Sequence, residues 1–213
     1  LNFKRHDKDL DYILKKIINN NFPKPLIGIG HSMGGCIMLS ALHRHSDKFS
    51  KGILSAPMLG FKNERFLRTL SFIMNIFKKN TDYLLGSNPN MGLETPFEEN
   101  DLTTDKGRYE RTLQLVRKEP NIRLWGVTNG FAKAVYKQFK IIRQKGWVEA
   151  VNSKILIINN TQDKVVSSKK IHEIHERLPN SEIITFDSTE HEIFMEKDVH
   201  RIILWRSIDQ FLN

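Results

Sequence analysis

The sequence predicts an α/β fold: a mostly parallel sheet flanked by helices and interrupted by a helical cap insertion. Short apolar runs (PLIGIG, KGILSA, KILIIN and EIITF) recur between amphipathic stretches. The first run passes through a glycine-rich turn, GHSMGG, directly into a helix-forming segment. Residues 60–150, between the second and third runs, abandon this alternation for helical periodicity. A chain of 213 residues holds one large domain, its core expected in residues 1–59 and 151–213 and its cap in 60–150.

Residues 7–20 (DKDLDYILKKIINN) place Leu10, Ile13, Leu14, Ile17 and Ile18 at helical spacing, and Asn21-Phe22-Pro23 ends that helix. PLIGIG reads as a short buried strand, followed by a helix from Met33 to about His43 that begins with small residues. Lys51–Ala56 is the second strand, closed by Pro57. Lys154–Asn159 is the third and Glu182–Phe186 the fourth, with a helix over Ser167–Leu178 between them and a final helix over Val199–Leu212. Within the insertion, Arg65–Lys79 is amphipathic, with Phe66, Leu70, Ile73, Met74 and Phe77 on one face. Further helices are expected around 105–118 and 129–145, the first capped by Thr103 or Thr104. An insertion at this point sits above the C-terminal edge of the sheet, where ligands bind in α/β folds.

Lys and Arg outnumber Asp and Glu by 33 to 24, a net charge of +9 that favours peripheral contact with anionic surfaces such as phospholipid headgroups. The positive charges are dispersed, and no zinc-finger spacing, Walker loop or aromatic RNA-binding signature accompanies them, which argues against nucleic acid as partner. Cys36 is the single cysteine, so no intrachain disulfide forms and a reducing, cytoplasmic location is expected. No run of eighteen apolar residues marks a membrane-spanning helix.

The turn Gly30-His31-Ser32-Met33-Gly34-Gly35 contains G-x-S-x-G, a pattern that composition alone would produce about 0.04 times in such a chain. It stands directly after a strand and before a helix, where a nucleophile elbow must stand. A serine on so sharp a turn takes strained backbone angles, and side chains at Gly30 and Gly34 are expected to collide across it. Ser32 is therefore the candidate nucleophile, with the Met33 backbone N–H as an oxyanion-hole donor at the helix N-terminus. His31, beside it, is a candidate substrate contact or packs under the elbow, and Met74, in the insertion, is a candidate substrate contact or part of the cap's own core. Cys36 lies in the small-residue helix behind the turn and reads as a buried structural thiol.

A serine hydroxyl needs a base, and the base needs a carboxylate to orient it. Asp163 follows the strand KILIIN and His191 follows EIITF, in the order acid then base. Asp187, Glu190 and Glu192 are rival carboxylates on the histidine's own loop. His172 and His175, at i and i+3 on a helix, read as a solvated face rather than a metal site.

GHSMGG, KGILSAPMLG, the acid loop and TEHEIFMEKD together resemble the bacterial lysophospholipase and monoacylglycerol lipase branch of the α/β-hydrolases. NDLTTDKGRYERTLQLVRKEPNIRLWGVTNGF resembles the cap of bacterial lysophospholipases in particular. The resemblance implies a serine hydrolase that cleaves the acyl ester of a lysophospholipid without metal or organic cofactor, with Ser32, Asp163 and His191 as its triad. A monoacylglycerol lipase, a general esterase or a peptidase would use the same triad, because fold does not fix substrate. The chain departs from the family ahead of the elbow, where family members carry several more strands and a His-Gly loop that supplies a second oxyanion donor. An N-terminally truncated α/β-hydrolase fold is therefore expected, completed by an N-terminal complementing segment or chain, or else a non-catalytic remnant.

Overall fold

Four strands, β1 (Leu26–His31), β2 (Phe49–Ser55), β3 (Lys154–Asn160) and β4 (Ser181–Phe186), pair in parallel in the order β1-β2-β3-β4. The molecule is seen in a computed structural model that describes residues 3–18, 21–62, 64, 79–84, 87, 95–122 and 126–213. Helices lie at α1 (Phe3–Ile13), α2 (Met33–Arg44), α3 (Lys106–Lys118), α4 (Asn129–Ile142), α5 (Ser168–His175) and α6 (Asp198–Leu212). Each strand is laid down beside its predecessor, so right-handed crossovers put the connecting helices on one face of the sheet.

That face is the larger core. Leu39 and Leu42 of α2, Phe139 and Ile142 of α4 and Ile171 of α5 pack there on Leu54, Ile155 and Ile157. The alternate residues Ile53, Leu156 and Ile158 point the other way and are covered by Leu204, Ile208 and Phe211 of α6. Lys51 joins the two elements, donating from Nζ to the carbonyls of Phe211 and Leu212 at 2.8 and 2.6 Å, a cation placed at a helix C-terminus. Helix α4, which falls within residues 60–150, packs into the larger core, and Gln138 Nε2 donates to Ser40 Oγ on α2 at 2.9 Å.

The second face stops short of β1. Ile27 and Ile29 point to that side and are 46% and 55% exposed, so the expectation of a fully buried first strand is corrected. β1 is an edge strand among the described residues, and α6 covers β2 to β4 only. The first helix begins earlier than the periodicity suggests because Phe3 is buried, and a π-helical turn, Leu14–Ile18, ends it. Ile13 and Ile17, read as part of its apolar stripe, are exposed.

Two further expectations are corrected. Helix α3 is capped by Asp105, which accepts the Arg108 N–H at 2.9 Å, because the hydroxyls of Thr103 and Thr104 are engaged elsewhere, on Met195 O and Glu196 Oε2. His172 and His175 are half-buried rather than solvated: Asn159 Nδ2 lies 3.3 Å from His172 Nε2, and His175 Nδ1 lies 2.7 Å from Ser181 Oγ. Residues 65–78 of the amphipathic stretch, Met74 among them, lie outside the described residues.

Candidate active site

Parallel pairing brings the C-terminal ends of all four strands to one edge, and the candidate residues follow those ends. Ser32 comes directly after β1 at φ 51° and ψ −118°, a region that a residue with a side chain occupies at a cost of about 1–3 kcal/mol. Backbone bonds on both sides hold it there. Its N–H donates to Ser55 O at 2.9 Å, and its carbonyl accepts from Met58 N at 2.9 Å and Cys36 N at 3.2 Å.

The glycines around the turn are not equivalent. A Cβ on Gly30 would stand 2.4 Å from Gly34 O, and one on Gly35 would stand 2.9 Å from Pro57 Cβ. At Gly34 a Cβ would meet nothing within 4 Å, so the expected collision is confined to Gly30 and its neighbour Gly35. Met33 is the first residue of α2, which leaves its N–H among the donors that an α-helix does not satisfy. Cys36 is fully buried behind the turn, and burial, helped by the nearby Asp7 charge and opposed by Arg143, pushes its thiol up to about 12.

His191 Nε2 lies 2.9 Å from Ser32 Oγ, and His191 Nδ1 lies 2.7 Å from Asp163 Oδ2. Asp163 and His191 are 1% and 3% exposed, so the bond between them is shielded from water, while the bond to Ser32 is part-buried. The other carboxylate oxygen, Asp163 Oδ1, accepts the N–H groups of Val165 and Val166 at 2.7 and 2.9 Å. This fixes the carboxylate so that Oδ2 faces the imidazole. With a carboxylate as its partner, Nδ1 carries the proton and Nε2 presents its lone pair to the serine. The structure thus brings Ser32, His191 and Asp163 into one hydrogen-bonded chain.

The rival carboxylates sit elsewhere. Asp187 is exposed and accepts from Thr161 Oγ1 at 3.2 Å, and Glu190 lies 3.5 Å from Lys164 Nζ. Glu192 stands 3.1 Å from His31 Nε2, in a contact too bent for a full hydrogen bond. Burial pushes the Glu192 carboxyl up and Asp163 adds to that, but the contact with His31 outweighs both and holds it below the usual glutamate value. His31 is occupied on its other side too, with Nδ1 3.2 Å from Ser55 Oγ and its ring 4.8 Å from that of His191. It thus packs beside the base. Met74, the other candidate substrate contact, lies outside the described residues.

Sequence reasoning missed the groups that hold the histidine loop. Asn160 Nδ2 donates to Glu190 O, the carbonyl that enters the His191 peptide bond. His191 N donates to Asp101 O at 3.3 Å and Glu192 N to Leu102 O at 2.7 Å. Glu196 is fully buried on the same loop. A buried Asn at a strand end and a Glu in a polar loop carry no periodic signal. It also missed Ala56, which has φ 39° and donates its N–H to Ile158 O at 2.8 Å beside the elbow. Among the described residues no group of three or more His, Cys, Asp or Glu side chains is arranged to hold a metal ion, and no helix is long and apolar enough to cross a membrane.

A parallel sheet with helical crossovers, a serine on a strained strand–helix turn, and a histidine and aspartate on the two following strand ends define the α/β-hydrolase fold. The chain belongs to the Hydrolase_4 family, described as serine aminopeptidase, S33, whose model matches residues 1–198. It is 27% identical over 187 residues to the probable lysophospholipase L2 of Haemophilus influenzae, covering 87% of this chain and 58% of that one. It is 26% identical over 204 residues to lysophospholipase L2 of Escherichia coli strain K12, covering 87% and 56%. The chain thus spans less than two thirds of the length of these relatives. Among solved structures, the monoacylglycerol lipase of Paleococcus ferrophilus matches with a TM-score of 0.69 at 18% identity, covering 95% of this chain and 74% of that one. A soluble variant of monoglyceride lipase from Saccharomyces cerevisiae, in complex with a substrate analogue, matches at 0.69 and 17%, covering 96% and 68%. The resemblance to the lysophospholipase and monoacylglycerol lipase branch is borne out, and the solved structures establish the fold.

Proposed function

We propose that this chain carries the catalytic residues of a carboxylic-ester hydrolase acting on single-chain acyl lipids, lysophospholipids in particular. The observation that carries the reading is the hydrogen-bonded chain from Ser32 through His191 to the buried Asp163. Ser32 Oγ attacks the ester carbonyl as His191 Nε2 takes its proton, and Asp163 stabilises the imidazolium that forms. The Met33 N–H donates to the developing oxyanion. The tetrahedral intermediate collapses, His191 returns the proton to the leaving alcohol, and an acyl ester remains on Ser32. Water, deprotonated by His191, then attacks that ester and releases the fatty acid.

The choice of lysophospholipid rests on what the two bacterial relatives are named for. The excess of 33 basic over 24 acidic residues suits an anionic lipid surface. Further, the outer edge of β1, with Ile27 and Ile29 exposed, takes up an additional strand from a complementing N-terminal segment or chain, which also supplies a second oxyanion donor. Hydrolysis of a lysophosphatidylcholine and a monoacylglycerol of equal acyl length, in mixed detergent micelles, tests the substrate class. The lysophospholipid is expected to give the higher kcat/KM. A clear preference for monoacylglycerol would overturn that choice while leaving the ester hydrolase in place.

A further inference from the structure

Glu196 is a buried carboxylate that the mechanism above does not use. It is 0% exposed, and among the described residues no Lys or Arg side chain pairs with its carboxylate. Instead it accepts from four donors: Oε1 from Thr104 N at 3.1 Å and Glu190 N at 2.8 Å, and Oε2 from Thr104 Oγ1 at 2.5 Å and Lys197 N at 3.4 Å. Taking a carboxylate out of water is costly unless its lone pairs are met, and here they are met by two segments 92 residues apart.

One segment is the turn that begins with the base. The peptide bond entering His191 has both polar groups tied, its carbonyl to Asn160 Nδ2 and its N–H to Asp101 O. Glu196 fixes the N–H of Glu190, one residue before. The other segment, Asn100–Asp105, belongs to the insertion and carries hydrogen bonds of its own. Asn100 Oδ1 accepts from Leu102 N and Thr103 N, both at 2.9 Å, and Thr103 Oγ1 donates to Met195 O at 2.7 Å. Arg108, in the first turn of α3, donates to Glu196 O at 2.8 Å and to Asp198 Oδ1 at 2.6 Å. The bonds from Thr103 and Arg108 join the insertion to the loop that bears the base and to the start of α6.

We infer that Glu196 is a positioning residue for His191, a latch through which docking of the Asn100–Asp105 segment sets the imidazole against Ser32. The inference rests on His191 being the base proposed above. Through Glu190 N the carboxylate sets the backbone from which the imidazole projects, and through Thr104 it makes that setting depend on the insertion. An imidazole displaced by an ångström loses the serine proton without losing the acyl pocket, so the effect falls on kcat rather than KM.

The test uses the full chain and p-nitrophenyl butyrate, a short ester that makes little demand on an acyl pocket. Glu196→Ala, Glu196→Gln, Thr104→Val and His191→Ala are compared with wild type, with thermal melts as a check on folding. Glu196→Ala is expected to lower kcat about 10- to 100-fold with KM within about twofold. Glu196→Gln keeps an acceptor for Glu190 N and Thr104 N and recovers most of that loss. Thr104→Val, which removes only the hydroxyl on the insertion side, lowers kcat by several-fold and carries the test if Glu196→Ala does not fold. If His191→Ala is inactive while Thr104→Val and the folded Glu196 variants turn over like wild type, the latch is overturned and the base stands. If His191→Ala retains the wild-type rate, the reading of the base is overturned first.

Discussion

Ser32 is placed within the first crossover of the sheet, by the turn between β1 and α2 and by Ser55 and Met58 at the end of β2, whereas His191 is held by groups from two distant parts of the chain. The serine's strained angles follow from the tight turn between β1 and α2, where Gly30 admits Gly34 O and Gly35 admits Pro57. The histidine sits on a loop fixed by Asp163, by Asn160 and by the insertion residues Asp101, Leu102 and Thr104. The contacts that place the serine lie within the first crossover of the sheet, whereas those that place the histidine come from the end of β3 and from residues 101–104.

The base half is broken most sharply by Asp163→Asn. An asparagine leaves the hydrogen-bonding geometry nearly unchanged but can donate to Nδ1, which turns the imidazole to the tautomer that cannot accept the serine proton. A loss of roughly 10⁴-fold in kcat is expected with an unaltered thermal melt. A loss of less than tenfold would show that Asp163 does not orient the base.

The elbow half is sharpened by two glycine variants measured for stability alone. Gly30→Ala forces a methyl against backbone and is expected to destabilise by about 1–3 kcal/mol or more in denaturant melts. Gly34→Ala places its methyl in open space on a helix and is expected to change stability by no more than about 1 kcal/mol, in the stabilising direction. Equal destabilisation by both would mean that the turn constrains the two glycines alike, against the contacts described.

The same division decides what was legible in the sequence. G-x-S-x-G between an apolar run and a small-residue helix is a local pattern, and Ser32, Met33 and the four strands could be read from it and from period alone. Asp163 and His191 were legible because each follows an apolar strand in chain order. Glu196, Asn160 and Thr104 were not, because each acts by bonding to residues far away in sequence and leaves no periodic trace. The cap of α3 was misread for the same reason, since Thr103 and Thr104 had partners on the histidine loop. Ile27 and Ile29 were read as buried because an apolar run does not reveal how many of its faces are covered.

The central claim, that the two halves assemble a reactive serine, is tested most directly by intact-mass labelling of the chain with a fluorophosphonate beside Ser32→Ala. A single adduct on the wild-type chain, absent from Ser32→Ala, is the predicted result. A folded wild-type chain that takes no adduct, or an adduct that survives in Ser32→Ala, would contradict it.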